Sequence, residues 1–322
     1  MRTLLLRRLL QTIPTLIGVS ALTFLLLKLA PGDFLGTMAE NPQISAATLE
    51  AMRHRFGLDQ PWWTQYLLYL RNVVFHLDFG ESFSRHQPVF AVLRTGMLNT
   101  LLLASAAACV TWGLAIPLGI LAAVRQHRWP DHVLSFAAFF WLSVPEVLSG
   151  LLLLALAART GWFPIGGMRD IDHDLYGPLQ RLFDLLRHLA LPALVVGLVP
   201  LAGRMRQMRA SMLDQLQLDY VTTARAKGLP EGAVVGRHVL RNALNPMISL
   251  FGFTLGSLLS GSLIVEIIFS WPGLGSITLE ALNARDQYLV VGTVLMASVM
   301  LIAGNLVADI LLAIADPRIR RE

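Results

Sequence analysis

Six long apolar runs separated by polar stretches dominate the chain, near 9–29, 99–124, 133–158, 188–203, 246–269 and 288–315. A helix that crosses about 30 Å of hydrocarbon needs about 20 mostly apolar residues, so the runs predict six transmembrane helices. The fourth is the shortest and carries Pro192 and Pro200; it is expected to continue helically toward Met208, with Arg204, Arg206 and Arg209 reaching headgroups. The first follows Arg2, Arg7 and Arg8 as a signal peptide would. It is longer than a signal peptide's apolar region, and Ala30, Pro31, Gly32 and Asp33 end it without a small-residue cleavage site, which predicts an uncleaved anchor.

The polar stretches are patterned too. In the long one after the first run, about 31–97, Ser45 suits a helix cap, Leu49, Met52 and Phe56 share one face, and Gly57 suits a stop. Pro61 suits a first helical position, after which Trp62, Tyr66, Tyr69 and Val73 recur at helical spacing. That stripe reads as an amphipathic helix on the bilayer, either a lid packed on the membrane helices or a docking surface for a soluble partner. Between the fourth and fifth runs, Asp219 suits an N-cap, Gly228 a left-handed stop, and Pro230 with Glu231 the start of a second short helix in which Val235 and Val239 share a stripe. A short helix with an apolar stripe and basic flanks suits either docking into another protein's groove or resting on headgroups.

Composition supports the membrane class. Of 322 residues, 55% are hydrophobic and 15% charged, against roughly 25% charged in soluble domains; disorder, a collagen-like chain and a disulfide scaffold are excluded, and the lone Cys109 cannot close an intrachain disulfide. The net charge of +5 comes almost entirely from arginine, since Lys28 and Lys227 are the only lysines. These residues flank apolar runs instead of forming a stripe with interleaved aromatics, which argues against nucleic acid. One side of the membrane receives 15 Lys and Arg over about 66 residues, the other 10 over about 115 residues with 12 acids. The positive-inside rule then places both termini in the cytoplasm.

The reading is therefore an all-α integral membrane protein of six transmembrane helices. It divides into an anchor helix at 1–30, an outer loop with short amphipathic helices at 31–97, a five-helix core at 98–315 that includes the cytoplasmic segment 204–245, and a cytoplasmic tail at 316–322.

Ionisable residues within the runs are functional candidates. Glu146 follows Pro145 in mid-run, where it is expected to face a cavity; a substrate ammonium group, a proline-freed backbone amide or a second subunit would each satisfy it. Asn305 and Asp309, one turn apart, suit a polar cluster between helices and, with Glu146, are the substrate-path candidates. Glu266 and Asp309 lie near run ends, where structural pairing is the expected role. Gly252, Gly256 and Ser260, spaced by four, suit a helix-packing face.

Stretches along nearly the whole chain resemble one family. YVTTARAKGL and RHVLRNALNP resemble the coupling loop of ATP-binding-cassette importer permeases of the peptide and nickel branch. RRLLQTIPTLIGVSALTFLLLKLAPGD, FGLDQPWWTQY, DFGESF, VEIIFSWPGLG and NLVADILLAIADPRIR stand in the family's order. The likeness is to the first permease of a dipeptide or oligopeptide importer, and it implies a type I importer-permease fold in a bacterial cytoplasmic (inner) membrane. It further implies a second, homologous permease, two ATP-binding subunits that carry ATP and magnesium, and an extracytoplasmic substrate-binding protein. The Glu of the family's Glu-Ala-Ala motif falls on Thr222, so that carboxylate is absent here. By the same resemblance, the residues facing the ATPase are Tyr220, Thr222, Thr223, Ala224, Arg225, Ala226, Lys227, Gly228, Leu229, Pro230, Val235, Val239 and Arg241.

The chain has no phosphate-cradling G-x-x-x-x-G-K-[ST] loop, no G-x-S-x-G and no H-E-x-x-H, so it is read as a transport subunit without catalytic residues, metal or its own cofactor. A nickel or glutathione-type importer permease of the same family remains an alternative. So does a proton-coupled secondary transporter, although no His lies well inside a run.

Overall fold

The computed structural model describes every residue except 1, 31, 33, 40–44, 56, 249, 252–253, 255–257, 259–261 and 316–322. Helices dominate: α1 Arg2–Leu29, α2 Phe34–Ala39, α3 Ala46–Arg55, α4 Trp62–His76, α5 Val89–Val124, α6 Trp129–Ser143, α7 Glu146–Thr160 and α8 Pro178–Leu216. These are followed by α9 Asp219–Ala226, α10 Glu231–Ala233, a π-helix at Val234–Val239, α11 Leu240–Ala243, α12 Leu263–Ile268, α13 Leu274–Asn283 and α14 Gln287–Ala315. Glu81–Ser82 and Gln87–Pro88 pair as a two-stranded antiparallel ribbon, β1 and β2. The chain divides into two compact units, one of residues 101–271 with the chain from 301 onward, the other of residues 2–100 with 272–300.

Four helices among the described residues, α1, α5, α8 and α14, are long and apolar enough to cross a membrane, or five spans if α6 and α7 count as one. The third apolar run is thus not one straight helix: α6 and α7 meet at 105°. Proline supplies the reason, since Pro145 has no N–H to give the preceding turn and pushes Val144 into extended geometry (φ −82°, ψ 122°). The fifth run, 246–269, contains many of the residues outside the description, among them Gly252, Gly256 and Ser260.

The fourth run does the opposite and grows in both directions, into the 39-residue α8. Its internal prolines, Pro192 and Pro200, leave it helical throughout, and it is tied to α5 between them: the Thr111 hydroxyl of α5 donates to the Gly197 carbonyl at 2.9 Å. The two helices approach closely at glycines. A Cβ on Gly197 would lie 3.0 Å from the Ala107 carbonyl, and one on Gly119 would lie 2.7 Å from Met208 Cβ. Around this contact the core of the 101–271 unit assembles Leu103, Ala107, Trp112, Val195, Met208, Met212, Val221, Val234 and Val239.

In the other unit, Ser45 Oγ accepts from the Thr48 amide at 3.2 Å and Gly57 is left-handed at φ +64°, as expected for α3, while Phe56 lies outside the described residues. Pro61 stands just before α4 instead of inside it. The Tyr66 and Tyr69 stripe is turned toward α1. The Tyr66 hydroxyl donates to the Ile17 carbonyl at 3.1 Å and meets Ser20 Oγ at 3.0 Å, and its ring lies 5.6 Å from that of Phe24. A buried hydroxyl needs a partner, and α1 provides one, so this face packs against α1.

The DFGESF turn closes on Asp286, a fully buried carboxylate before α14. It accepts the Ser82 hydroxyl (2.6 Å), the Ser84 amide and hydroxyl (both 3.0 Å) and the Leu289 amide (3.2 Å).

Candidate functional site

The segment after α8 forms the expected pair of short helices, with two changes. Asp219 is not the cap of α9 but its first residue; Leu218 occupies the cap in extended geometry. Helix α9 ends as expected, with Gly228 at φ +76° and its amide donating to the Arg225 carbonyl at 2.9 Å. A side chain is strained in that conformation, which is why glycine suits the stop.

The second change concerns burial. Residues 234–239 form a π-helix, and in it Val235 and Val239 still pack on one apolar cluster. Val234 and Val239 are both wholly buried, and Val235 is half-buried against the same cluster. Val239 therefore offers no surface to a partner; it belongs to the chain's own core with Val221, Met208 and Met212.

What remains outside is mixed, with Arg225, Lys227 and Arg241 supplying positive charge. Thr222, Thr223, Arg225, Ala226, Lys227, Gly228, Leu229, Pro230 and Arg241 are exposed, Tyr220 is half-buried and Ala224 is buried. Arg225 and Glu231 form a two-pronged pair across the Gly228 turn, Nη2 to Oε1 at 2.6 Å and Nε to Oε2 at 3.2 Å. The hydrogen bond from Arg225 holds the Glu231 carboxyl below its ordinary range. Tyr220 donates to Gln215 Oε1 at 2.9 Å, and Ser211 donates to the Ala243 carbonyl at 2.8 Å, so both ends of the segment are tied to α8. The result is a knuckle with a rigid apolar underside and an exposed, charged crest.

The other acidic and polar candidates, Glu146, Asn305 and Asp309 for the substrate path and Glu266 for structural pairing, lie on other helices. Glu146 is half-buried and, instead of sitting in mid-helix, is the first residue of α7 at the bend after Pro145. Asn305 and Asp309 are half-buried, four residues apart in α14. Glu266 is wholly buried and accepts from the Ser262 hydroxyl at 2.9 Å. No group of three or more His, Cys, Asp and Glu among the described residues is placed to hold a metal ion.

Two polar clusters escaped the sequence reading. Asp184 accepts from the His173 ring at 2.6 Å and from the Asp170 amide at 3.1 Å, with His188 at 3.0 Å. Asp131 pairs with Arg209. Only the i, i+4 spacing of Asp184 and His188 was a usable local signal; the Asp131 and Arg209 partners are 78 residues apart.

Residues 115–321 match the family described as the inner membrane component of binding-protein-dependent transport systems, and residues 1–104 match the N-terminal part of such membrane components. The chain is 40% identical over 315 residues to the oligopeptide transport system permease protein AppB of Bacillus subtilis (strain 168), covering 97% of this chain and 98% of the relative. Identity is 38% to the di/tripeptide transport system permease protein DppB of Pseudomonas aeruginosa (strain UCBPP-PA14), and 37% to the dipeptide transport system permease protein DppB of Escherichia coli (strain K12), with 98% of both chains covered in each case. Among solved structures, an inward-facing form of the MetNI methionine ABC transporter aligns with a TM-score of 0.50 at 17% identity, over 69% of this chain and 97% of that one. That likeness concerns the fold alone.

Proposed function

We propose that this chain, which belongs to the family of inner membrane components of binding-protein-dependent transport systems, is the permease subunit of an ATP-driven importer of di- and oligopeptides. The observation that carries the reading is the end-to-end similarity, at 37–40% identity, to permeases of three peptide transport systems. In this reading the chain crosses a bacterial inner membrane six times with both termini in the cytoplasm, and forms half of the path beside a second permease. Two ATPase subunits, which bind ATP and magnesium, and an external substrate-binding protein complete the assembly.

The exposed crest of the 219–243 knuckle is the coupling site. Thr222, Thr223, Arg225, Ala226, Lys227, Gly228, Leu229 and Pro230 meet the ATPase, with Tyr220, Arg241 and Val235 at the margin; Ala224 and Val239 support them from below. Its charge favours an ATPase groove that carries acidic groups. Force applied to the crest is transmitted because the underside is close-packed and cannot yield continuously. Glu146, Asn305 and Asp309 are the polar residues assigned to the path, and Gly252, Gly256 and Ser260 the packing face.

The test is uptake by vesicles holding the chain with its partner subunits. Labelled di- and tetrapeptides are expected to accumulate only with ATP and the binding protein. Uptake driven by a pH gradient without the ATPases would overturn the reading, and accumulation of a nickel chelate in place of peptides would reassign the cargo.

A further inference from the structure

Helix α8 carries a second grip one turn from the one that holds the knuckle. Arg209 Nε lies 2.6 Å from Asp131 Oδ1 and Nη2 lies 2.7 Å from Oδ2, a fork-to-fork pair with the carboxylate side chain 4% exposed and the guanidinium 25%. Asp131 also accepts the His127 amide at 3.0 Å and so shapes the turn that leads into α6. Beside it Arg206 stacks on the Phe139 ring at 4.9 Å, and Met205, Leu201 and Ala202 pack on Ala138. Residues 205–212 thus hold α6 on one side. On the other, Met208 and Met212 lie among Val221, Val234 and Val239, and Ser211 bonds Ala243.

We infer that the Arg209–Asp131 pair is the positioning contact through which movement of the 219–243 knuckle reaches α6, and through α6 the bend at Pro145 where Glu146 sits. The inference rests on the coupling role given to the knuckle above. An apolar contact lets one helix slide past another. A bidentate, largely desolvated ion pair fixes both distance and orientation, so α6 must follow α8 or the pair must break. The bend supplies the compliant element: without the hydrogen bond that Pro145 cannot make, α6 can swing relative to α7 while each stays helical. Spatial continuity alone does not establish coupling, so the pair must be tested as a pair.

The experiment uses the complete transporter in vesicles and measures peptide imported per ATP hydrolysed for the wild type, Asp131→Asn, Arg209→Gln, Arg209→Lys and the swap Asp131→Arg with Arg209→Asp. Both single neutralisations are expected to leave ATPase co-purification and ATP hydrolysis in place while lowering the ratio about tenfold, within the usual range of coupling between sites. The swap should recover part of that loss. A wild-type ratio in both neutralised variants, or no recovery in the swap, overturns the inference. If the neutralised chains do not assemble, Arg209→Lys decides, because it keeps the charge and loses the fork: an intermediate ratio supports the inference and a wild-type ratio removes it. A wild-type transporter that hydrolyses ATP but moves no peptide would instead count against the importer reading itself.

Discussion

The knuckle at 219–243 and the turn at 78–88 are both irregular segments held in one place, the first chiefly by apolar side chains, the second by a buried carboxylate together with the stacked Phe83 ring. Beneath the knuckle lie Val221, Val234 and Val239, each with no exposed surface, and its polar groups point outward. Beneath the turn lies one carboxylate, Asp286, that gathers two serine hydroxyls and the amides of Ser84 and Leu289. Apolar anchorage leaves a charged crest free for another protein. Polar anchorage consumes the donors of the turn and leaves a closed, satisfied structure. The first suits a surface that must be pushed, the second a connection that must stay shut.

The largest expected effect separates the crest from its support. Gly228→Pro would force φ from +76° to about −65° and delete the amide that bonds Arg225. Insertion should survive, while co-purification with the ATPase subunits should be abolished; unchanged assembly and uptake would remove the coupling assignment. Next in size, Asp286→Ala should destabilise the protein by about 3 kcal/mol, because several buried donors lose their acceptor together. Thermal unfolding in detergent measures it, and a loss comparable to a surface substitution would show that the turn is held elsewhere.

A smaller contrast tests the packing beneath the knuckle. Val234→Ala should cost about 2 kcal/mol and Val235→Ala clearly less, since one side chain is fully enclosed and the other is not. Equal losses would show that the two valines are enclosed to the same degree. The smallest effect belongs to Glu231→Gln, which removes an exposed ion pair. Because Arg225 lowers the Glu231 pKa, the pair's contribution is complete above the ordinary glutamate range and is lost as pH falls through the lowered value. The difference between wild type and variant in unfolding midpoint should therefore be slight at neutral pH and vanish in acid.

The same contrast marks what was legible beforehand. Gly228, Pro230 and Glu231 act locally, through φ and helix-end chemistry, and they were found where the pattern put them. Asp219 was displaced by one position because capping is decided by the conformation of Leu218, a residue with no capping side chain. The valine stripe was legible, but not that Val234 joins it and that Val239 is wholly enclosed, because that depends on packing against Met208 and Met212. Asp286, Asp131 and the Asp184 cluster looked like ordinary polar residues near the ends of apolar runs.

By itself the amino-acid order determined that this is a helical membrane chain, where most of its apolar runs lie, and that a basic helix-turn-helix segment follows the fourth of them. Those properties follow from hydrophobicity and backbone preference, which act over a few residues. Only the tertiary structure decided that Pro145 breaks the third run by 105° while Pro200 leaves α8 intact, because the outcome turns on how tightly the helix is held by its neighbours on either side of the proline. It likewise chose which valines face inward and which carboxylates are buried, since burial and pairing are properties of partners 78 or 204 residues away.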